Sequence, residues 1–165
     1  MSPPRNWLKI NTDGAWDPNS EIGGMGFLIR DSSDLFIYAE SKNLICFLTE
    51  EVEIYGIREA LRAAKRLKMD RIIIEGDAAE VIEKIKRENF LGDQRTYYLY
   101  QDIRVLIPSF QSILFNFANR TCSGDAHELP QWDKKNVNQM AWSMPPGWLI
   151  PALCGDFRRE LPSGL

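Results

Sequence analysis

The sequence has few of the residues that bind transition metals or form disulfides. It contains three widely spaced cysteines, Cys46, Cys122 and Cys154, and a single histidine, His127. No cysteine pair has the Cys-X-X-Cys spacing of a zinc site, and one histidine cannot complete such a set. An odd number of unpaired thiols is typical of reducing compartments. We therefore expect a cytoplasmic or nuclear protein without disulfides.

The sequence also lacks long apolar runs, internal repeats and an excess of positive charge. No run approaches the roughly 20 apolar residues of a membrane span, and the start, MSPPRNW, has no apolar signal-peptide core. We therefore expect no membrane association. The formal net charge of −3 excludes a generally basic protein. Any contact with nucleic acid therefore requires a local basic patch.

What remains is the composition of an ordinary globular domain. The chain has 165 residues, of which 44% are apolar and 26% charged, so we expect one domain with a proper core and a monomeric state. Alternating or β-branched apolar segments predict five strands. These strands are residues 6–13, 25–31, 35–41, 71–75 and 110–118.

The strands alternate with amphipathic segments. Apolar residues at spacings of three and four predict a helix over residues 50–68, and similar patterns predict helices over 78–88 and 96–107. A turn-rich loop, GAWDPNSEIGG, is expected after the first strand, and residues 125–142 are weakly helical. The order predicts an α/β layered domain whose mixed sheet begins with antiparallel strands and carries helices on its faces.

Three carboxylates form the main candidate for a functional site. Asp13 ends the first predicted strand, Glu53 lies on the apolar side of the first helix, and Asp77 closes the apolar strand RIIIE. A buried carboxylate is costly unless it is paired or bound to a metal. Three acids brought together by strand, helix and strand predict a site for a hard cation such as Mg²⁺.

Each carboxylate also has a purely structural explanation. Asp13 precedes Gly14, as turn aspartates do. Glu53 could reach solvent from the first turn, where it would suit the helix dipole. Asp77 begins Asp-Ala-Ala-Glu, a capping-box pattern in which it would be the N-cap. For Asp77 the two roles are compatible, because one oxygen can cap while the other binds a metal.

Candidate nucleic-acid contacts come from cations on the polar side of the first helix and from one aromatic residue. The cations could follow a phosphate backbone, or they could be the ordinary solvated complement of an apolar stripe. A tryptophan in the loop after Asp13 could stack on a base or sugar, or it could pack on its own domain. The candidates are Trp16, Arg58, Arg62, Lys65 and Arg66.

Several motifs resemble one known family. KINTDGAW, GGMGFLIRDSSD and VEIYGIREALRAAKRLKMDRIIIEGDAAEVIEKI, followed by AHELPQW and PPGWLIPALCGD, resemble the ribonuclease H type 1 superfamily, and within it the plant RNase H-like domains related to reverse-transcriptase polyproteins. The resemblance implies an RNase H-like three-layer α/β fold, with a mixed five-stranded sheet flanked by helices. It covers residues 7–157 and leaves residues 1–6 and 158–165 as flexible tails.

The resemblance also implies an activity and its residues. The family's strand-1 aspartate falls on Asp13, its first-helix glutamate on Glu53 and its strand-4 aspartate on Asp77, each catalytic and metal-binding. It implies hydrolysis of the RNA strand of an RNA–DNA hybrid by a two-metal Mg²⁺ site, with Mn²⁺ as an alternative ion. Contacts to 2′-hydroxyls would select RNA.

The fourth acidic position of the family falls on His127, which we include as a catalytic candidate. Histidine brings no negative charge, but it can bind a metal or shuttle a proton; the alternative is a solvent-facing residue at a helix start. Pro130 predicts that the last helix starts or kinks nearby. Two other functions therefore stay open. One is a non-catalytic module that binds nucleic acid, and the other is a protein-interaction domain using the apolar tail around Trp148 and Leu149.

Overall fold

The structure is a computed structural model, and it describes residues 5–90, 93–118 and 140–142. Three strands come first along this part of the chain, and helices then separate the third, fourth and fifth strands, with a short 3₁₀ turn at Ile107–Ser109 before the fifth strand. In chain order the elements are β1 (Leu8–Asp17), β2 (Ile22–Arg30), β3 (Phe36–Ile45), α1 (Thr49–Arg66), β4 (Arg71–Gly76), α2 (Ala79–Arg87), α3 (Gln94–Leu106), β5 (Ser112–Phe117) and β6 (Met140–Trp142).

The described strands form one mixed sheet in the order β5-β4-β1-β2-β3-β6. β1, β2 and β3 pair as an antiparallel meander, whereas β4 runs parallel to both β1 and β5. Helix α1 packs on β1 and β2 and against α3. The predicted α/β class with a mixed sheet is confirmed, with one short strand, β6, added at the β3 edge. None of the described helices is long and apolar enough to cross a membrane.

Apolar periodicity explains the core of the fold. In β4, Ile72 and Ile74 are fully buried and Ile73 is nearly so, as expected for a strand covered on both faces. Along α1, Ile57 and Leu61 lie on the buried side, in the same core cluster as Ile72 and Ile74. The predictions of a helix over 50–68 and a strand over 71–75 are therefore confirmed to within about two residues.

The first hairpin corrects a prediction. The segment expected to be a turn-rich loop, residues 14–24, is mostly strand, because β1 continues to Asp17 and β2 begins at Ile22. The register pairs Trp16 with Gly23 and Asp17 with Ile22. Cross-strand hydrogen bonding therefore overrides the local turn preference of the glycines in this segment. The turn itself is short, and Ser20 and Asn19 donate hydrogen bonds to the Asp17 carboxylate.

A second correction concerns the weakly helical segment 125–142. Its last residues, 140–142, form β6 and pair antiparallel with residues 39–41 of β3. The unpaired edge of β3 offers backbone hydrogen bonds that a weak helical propensity does not outweigh. The rest of that segment, and the tail around Trp148, lie outside the described residues. The domain limits of 7–157 with flexible tails on either side stay a prediction.

Gly23 marks a close approach of β2 to α1. A Cβ added there would lie 2.7 Å from Cys46 Sγ and 3.0 Å from Val52 Cγ2. Cys46 is itself buried, and burial raises the pKa of its thiol to about 11. We expect Gly23→Ala to lower the free energy of unfolding by about 1–3 kcal/mol, since overpacking forces neighbours to move. Urea unfolding measures the loss.

The double variant Gly23→Ala/Cys46→Ala provides the control for this prediction. Removing Sγ opens space for the new methyl group, so the double variant should lose less stability than the sum of the two single variants. Strict additivity would contradict the proposed clash at Cys46.

Candidate metal-binding site

Asp13 lies within the central strand β1 rather than at its end. Its partner in β2 is Gly26, and only 1% of its surface is exposed. The backbone N–H of Gly14 donates a 2.8 Å hydrogen bond to Asp13 Oδ1. The interpretation of Asp13 as a turn residue is therefore wrong, because β1 extends four residues beyond it.

Glu53 approaches Asp13 from helix α1. It lies in the second turn of the helix and is partly buried. Gly14 makes the approach possible, because a Cβ at that position would lie 3.1 Å from Glu53 Cδ and 3.2 Å from the Glu53 backbone nitrogen. The absence of a side chain on β1 thus brings the helix and its carboxylate close to the strand.

Asp77 reaches the same place from the neighbouring strand. β4 runs parallel to β1, and its last residue, Gly76, pairs with Thr12, so Asp77 emerges beside Asp13. The N-cap of α2 is Ala78, one residue later than the capping-box pattern predicts. The interpretation of Asp77 as the N-cap is therefore wrong, because Asp77 lies between the end of β4 at Gly76 and the N-cap at Ala78.

The three predicted carboxylates converge in the folded chain. One oxygen from each of Asp13, Glu53 and Asp77 lies within 4.8 Å of the others. With Mg²⁺–oxygen bonds of about 2.1 Å, ligands on opposite sides of one ion are about 4.2 Å apart. The carboxylates therefore fit hard divalent cations after small side-chain rotations, and all three donors are the oxygen ligands that Mg²⁺ prefers.

Electrostatics also favours a cation at this point. Two carboxylate charges no more than 4.8 Å apart repel by at least about 1 kcal/mol in water and about 3 kcal/mol at an effective dielectric of 20. A bound divalent cation would reverse this cost. The arrangement is thus suited to binding and orienting positive charge.

An open cleft gives access to the cluster. It has a volume of about 390 Å³, and both Glu53 and Asp77 lie on its wall. Further acidic residues, Glu50 and Glu80, extend the negative lining. The complete lining is Thr49, Glu50, Glu53, Asp77, Ala78, Ala79, Glu80 and Val81.

Sequence reasoning missed a polar network beside this cleft. Glu50 Oε1 accepts hydrogen bonds of 2.7 Å from Lys84 Nζ and from the Tyr100 hydroxyl. The hydrogen bond to Glu50 raises the pKa of Lys84. The pKa of Tyr100 is also raised, mainly by burial and next by the hydrogen bond to Glu50. From the sequence Glu50 is only one of three acids suited to the helix dipole, and no local pattern links it to residues 84 and 100.

The predicted basic patch is largely engaged in ion pairs. Arg58 Nη1 lies 3.0 Å from Asp102 Oδ2. Arg62 Nη1 lies 3.1 Å from Glu59 Oε2, and Arg62 Nη2 lies 3.8 Å from Asp102 Oδ2. These contacts tie the surface of α1 to α3. A role for Arg58 and Arg62 in nucleic-acid binding stays a prediction.

The other two cations lie farther along α1. Arg66 Nη2 donates a 3.2 Å hydrogen bond to the Tyr38 hydroxyl, and Lys65 is exposed. At 1.5 Å per residue, Arg66 is about 20 Å from Glu53 along the helix axis. These residues could contact a nucleic acid in the cleft only if it were a long duplex rather than a single nucleotide. Their role in nucleic-acid binding also stays a prediction.

Trp16 lies in β1, not in the loop where the sequence predicts it. Its indole N–H donates a 3.0 Å hydrogen bond to the Cys46 carbonyl, and the ring packs against the core while remaining partly accessible. Stacking on a nucleic acid stays a prediction. His127, the fourth predicted catalytic residue, lies outside the described residues, as do Pro130 and its neighbours.

A family model described as "Reverse transcriptase-like" matches residues 11–133, a span that contains all three carboxylates of the cluster. The chain belongs to the reverse transcriptase-like family. The family model, together with the relatives below, confirms the resemblance to RNase H-like domains.

A curated relative is the Arabidopsis thaliana protein named "Putative ribonuclease H protein". It is 28% identical over 86 residues, which are 52% of this chain and 14% of that protein. The chain thus corresponds to a small part of the relative's length.

Solved structures share the fold of this reverse transcriptase-like protein. RNase H1 of Halobacterium salinarum superposes with a TM-score of 0.74 at 17% identity, over 79% of this chain and 99% of the other. The N-terminal RNase H domain of a Mycobacterium tuberculosis protein has a TM-score of 0.73 at 17% identity, over 78% and 94%. LC11-RNase H1, solved with an RNA/DNA hybrid, has a TM-score of 0.71 at 15% identity, over 78% and 96%.

Proposed function

We propose that this protein is a divalent-cation-dependent ribonuclease that hydrolyses the RNA strand of RNA–DNA hybrids. The observation that carries the proposal is the convergence of Asp13, Glu53 and Asp77 to within 4.8 Å at an open cleft of an RNase H-like fold. Mg²⁺ is the ion that three carboxylates best suit, and Mn²⁺ is an alternative. The shared fold and the relative's name support the substrate class.

Each carboxylate has a distinct task in this proposal. Asp13 is buried and hydrogen-bonded to the Gly14 N–H, so its orientation is set before any cation binds. Glu53 and Asp77 lie on the wall of the cleft, where a substrate phosphate can approach the cations they hold. When bound, divalent cations supply charge neutralisation at the scissile phosphate and activation of a water nucleophile.

Recognition of the hybrid follows from the same electrostatics. A cleft lined by acids repels a phosphate backbone, so the substrate can approach the cluster closely only when divalent cations are bound there. LC11-RNase H1, which shares this fold, was solved with an RNA/DNA hybrid, and we extend that substrate class to this chain. His127 is proposed to act as a metal ligand or proton carrier. Trp16 and the α1 cations are proposed to contact the flanking duplex.

The test is cleavage of matched substrates that differ only in the labelled strand or in strand chemistry. A hybrid labelled on its RNA strand, the same hybrid labelled on its DNA strand, and an RNA duplex of the same sequence are incubated with Mg²⁺ or Mn²⁺, or with EDTA. We expect cleavage of only the labelled RNA in the hybrid, and none in EDTA. The absence of metal-dependent RNA cleavage would overturn the proposed activity.

A binding measurement on the same substrates separates the non-catalytic functions. Hybrid binding without cleavage, weakening steeply as salt is added, would indicate a nucleic-acid-binding module. A protein that neither cleaves nor binds either the hybrid or the RNA duplex would instead fit an interaction domain with a protein partner.

A further inference from the structure

Glu50 links three helices beside the cleft through a single oxygen atom. Its Oε1 accepts hydrogen bonds of 2.7 Å from Lys84 of α2 and from Tyr100 of α3. Glu50 lies on α1, three residues before Glu53, so the two side chains project from neighbouring positions on the helix. Both residues line the cleft. The helix that carries Glu53 is therefore joined to α2 and α3 one turn away from the metal cluster.

The members of this network are held by their own surroundings. Tyr100 is 1% exposed, and its ring stacks on Phe90 with a centroid distance of 5.2 Å and an interplanar angle of 7°. Lys84 also lies 3.5 Å from Glu80 in the preceding turn of α2. Hydrogen bonds to a carboxylate are stronger than those between neutral groups. Each donor therefore reaches Glu50 from a well-defined position.

The network bears on the spacing of the metal cluster. Glu53 belongs to α1, whereas Asp77 lies one residue before the N-cap of α2, so the distance between their oxygens depends on how α1 and α2 are placed. The Glu50–Lys84 ion pair crosses between these two helices. Metal sites tolerate little displacement of their ligands, and groups that orient ligands change metal affinity when they are removed.

We propose that Glu50, Lys84 and Tyr100 are positioning residues that hold α1 and α2 at the separation at which Glu53 and Asp77 bind the same cations. This inference rests on the proposed metal-dependent function. An alternative explanation uses the same residues, which could act on the cations through charge alone. The two explanations predict opposite changes in cation affinity when the Lys84 charge is removed. A purely electrostatic role predicts tighter binding, because the cleft becomes more negative.

The experiment measures Mg²⁺ affinity without nucleic acid, by calorimetry and by the metal-dependent rise in Tm. Tyr100→Phe removes one hydrogen bond without changing charge, and Lys84→Met removes a charged donor. The matched controls are Tyr98→Phe, on the same helix and 60% exposed, and Lys86→Met, exposed on α2. We expect both network variants to weaken Mg²⁺ binding about tenfold, the lower end of the range for residues that orient ligands. The two control variants should change the Mg²⁺ affinity by less than about twofold, since neither residue orients a metal ligand.

Cleavage provides a second readout that general destabilisation does not reproduce. Both network variants should recover cleavage of the hybrid when Mg²⁺ is raised about tenfold, matching the expected loss of affinity, whereas a partly unfolded enzyme would stay impaired. The Tm in EDTA monitors folding, and Tyr100→Phe decides alone if Lys84→Met fails to fold.

Three outcomes would contradict the inference in different ways. Unchanged affinity in both variants would overturn it and leave the proposed function intact. Tighter binding by Lys84→Met, with Tyr100→Phe unchanged, would overturn it in favour of a charge effect. If the unaltered protein binds no Mg²⁺, the proposed metal-dependent function is wrong, and this inference with it.

Discussion

Asp13→Asn is expected to lower cleavage of the RNA–DNA hybrid by on the order of 10³-fold or more, as for removal of other central catalytic groups. The substitution keeps the size of the side chain and the oxygen that accepts the Gly14 N–H. It removes one of three converging charges and turns an amide toward the cations. Because Asp13 is almost fully buried, water cannot take the place of the missing carboxylate.

The same variant has a thermodynamic signature. Removing one carboxylate charge from a cluster only 4.8 Å across relieves repulsion, so the free energy of unfolding in EDTA should rise by about 1 kcal/mol. The rise in Tm on adding Mg²⁺ should disappear, since stabilisation by a ligand requires that it bind the native state. Calorimetric melting with and without Mg²⁺ measures both effects.

Asp70→Asn is the control for this variant, because Asp70 is exposed immediately before β4, at the opposite end of that strand from Asp77. It should retain cleavage and the Mg²⁺-dependent rise in Tm. If Asp13→Asn instead melts lower in EDTA and still responds to Mg²⁺, Asp13 has a structural role and the metal site is wrong.

Gly14→Ala is expected to reduce hybrid cleavage about tenfold, because the new Cβ displaces its neighbours by a few tenths of an ångström, and a displacement of about 1 Å costs about a hundredfold. The added Cβ would lie 3.0 Å from Val52 Cγ1 and 3.1 Å from Glu53 Cδ. Two of the nearest atoms belong to Glu53 itself, one of them in the backbone, so α1 must move away from β1 by a few tenths of an ångström. The free energy of unfolding should also fall, by about 1–3 kcal/mol.

Gly56→Ala tests whether the loss arises from the position of Glu53. Gly56 lies on the same helix, but a Cβ there would meet its nearest neighbours at 3.5 and 3.7 Å, which are ordinary contacts. This variant should keep full activity and gain about 0.5–1 kcal/mol, since alanine is the better helix former. Cleavage rates and urea unfolding are compared for the two variants. Equal activity in both would show that Gly14 does not set the geometry of the site.

Elements with strong local patterns could be predicted from the sequence. The run RIIIE and the apolar stripe through Ile57 and Leu61 require a buried strand and an amphipathic helix, whatever surrounds them. Both are present at nearly the predicted limits. Such patterns succeed because burial of apolar side chains dominates folding and leaves a period that can be read along the chain.

The predictions that were wrong concern segments whose structure depends on a distant partner. Residues 14–24 have the composition of a loop, yet residues 14–17 and 22–24 belong to β1 and β2 because the antiparallel register continues from Lys9–Arg30. Residues 140–142 became a strand because β3 offered an edge. In both cases hydrogen bonds to another strand outweigh local preference, and a single segment does not reveal its partner.

The sequence by itself determined the three carboxylates and their order on a strand, a helix and a second strand. Only the tertiary structure decided that Asp13 lies in mid-strand, that one oxygen of each residue lies within 4.8 Å of the others, and that Glu50 is bonded to Lys84 and Tyr100. Distances between residues 13, 53 and 77 depend on the parallel register of β1 with β4 and on the close packing of α1 over Gly14. Register and packing belong to the folded chain as a whole, which is why no local pattern contains them.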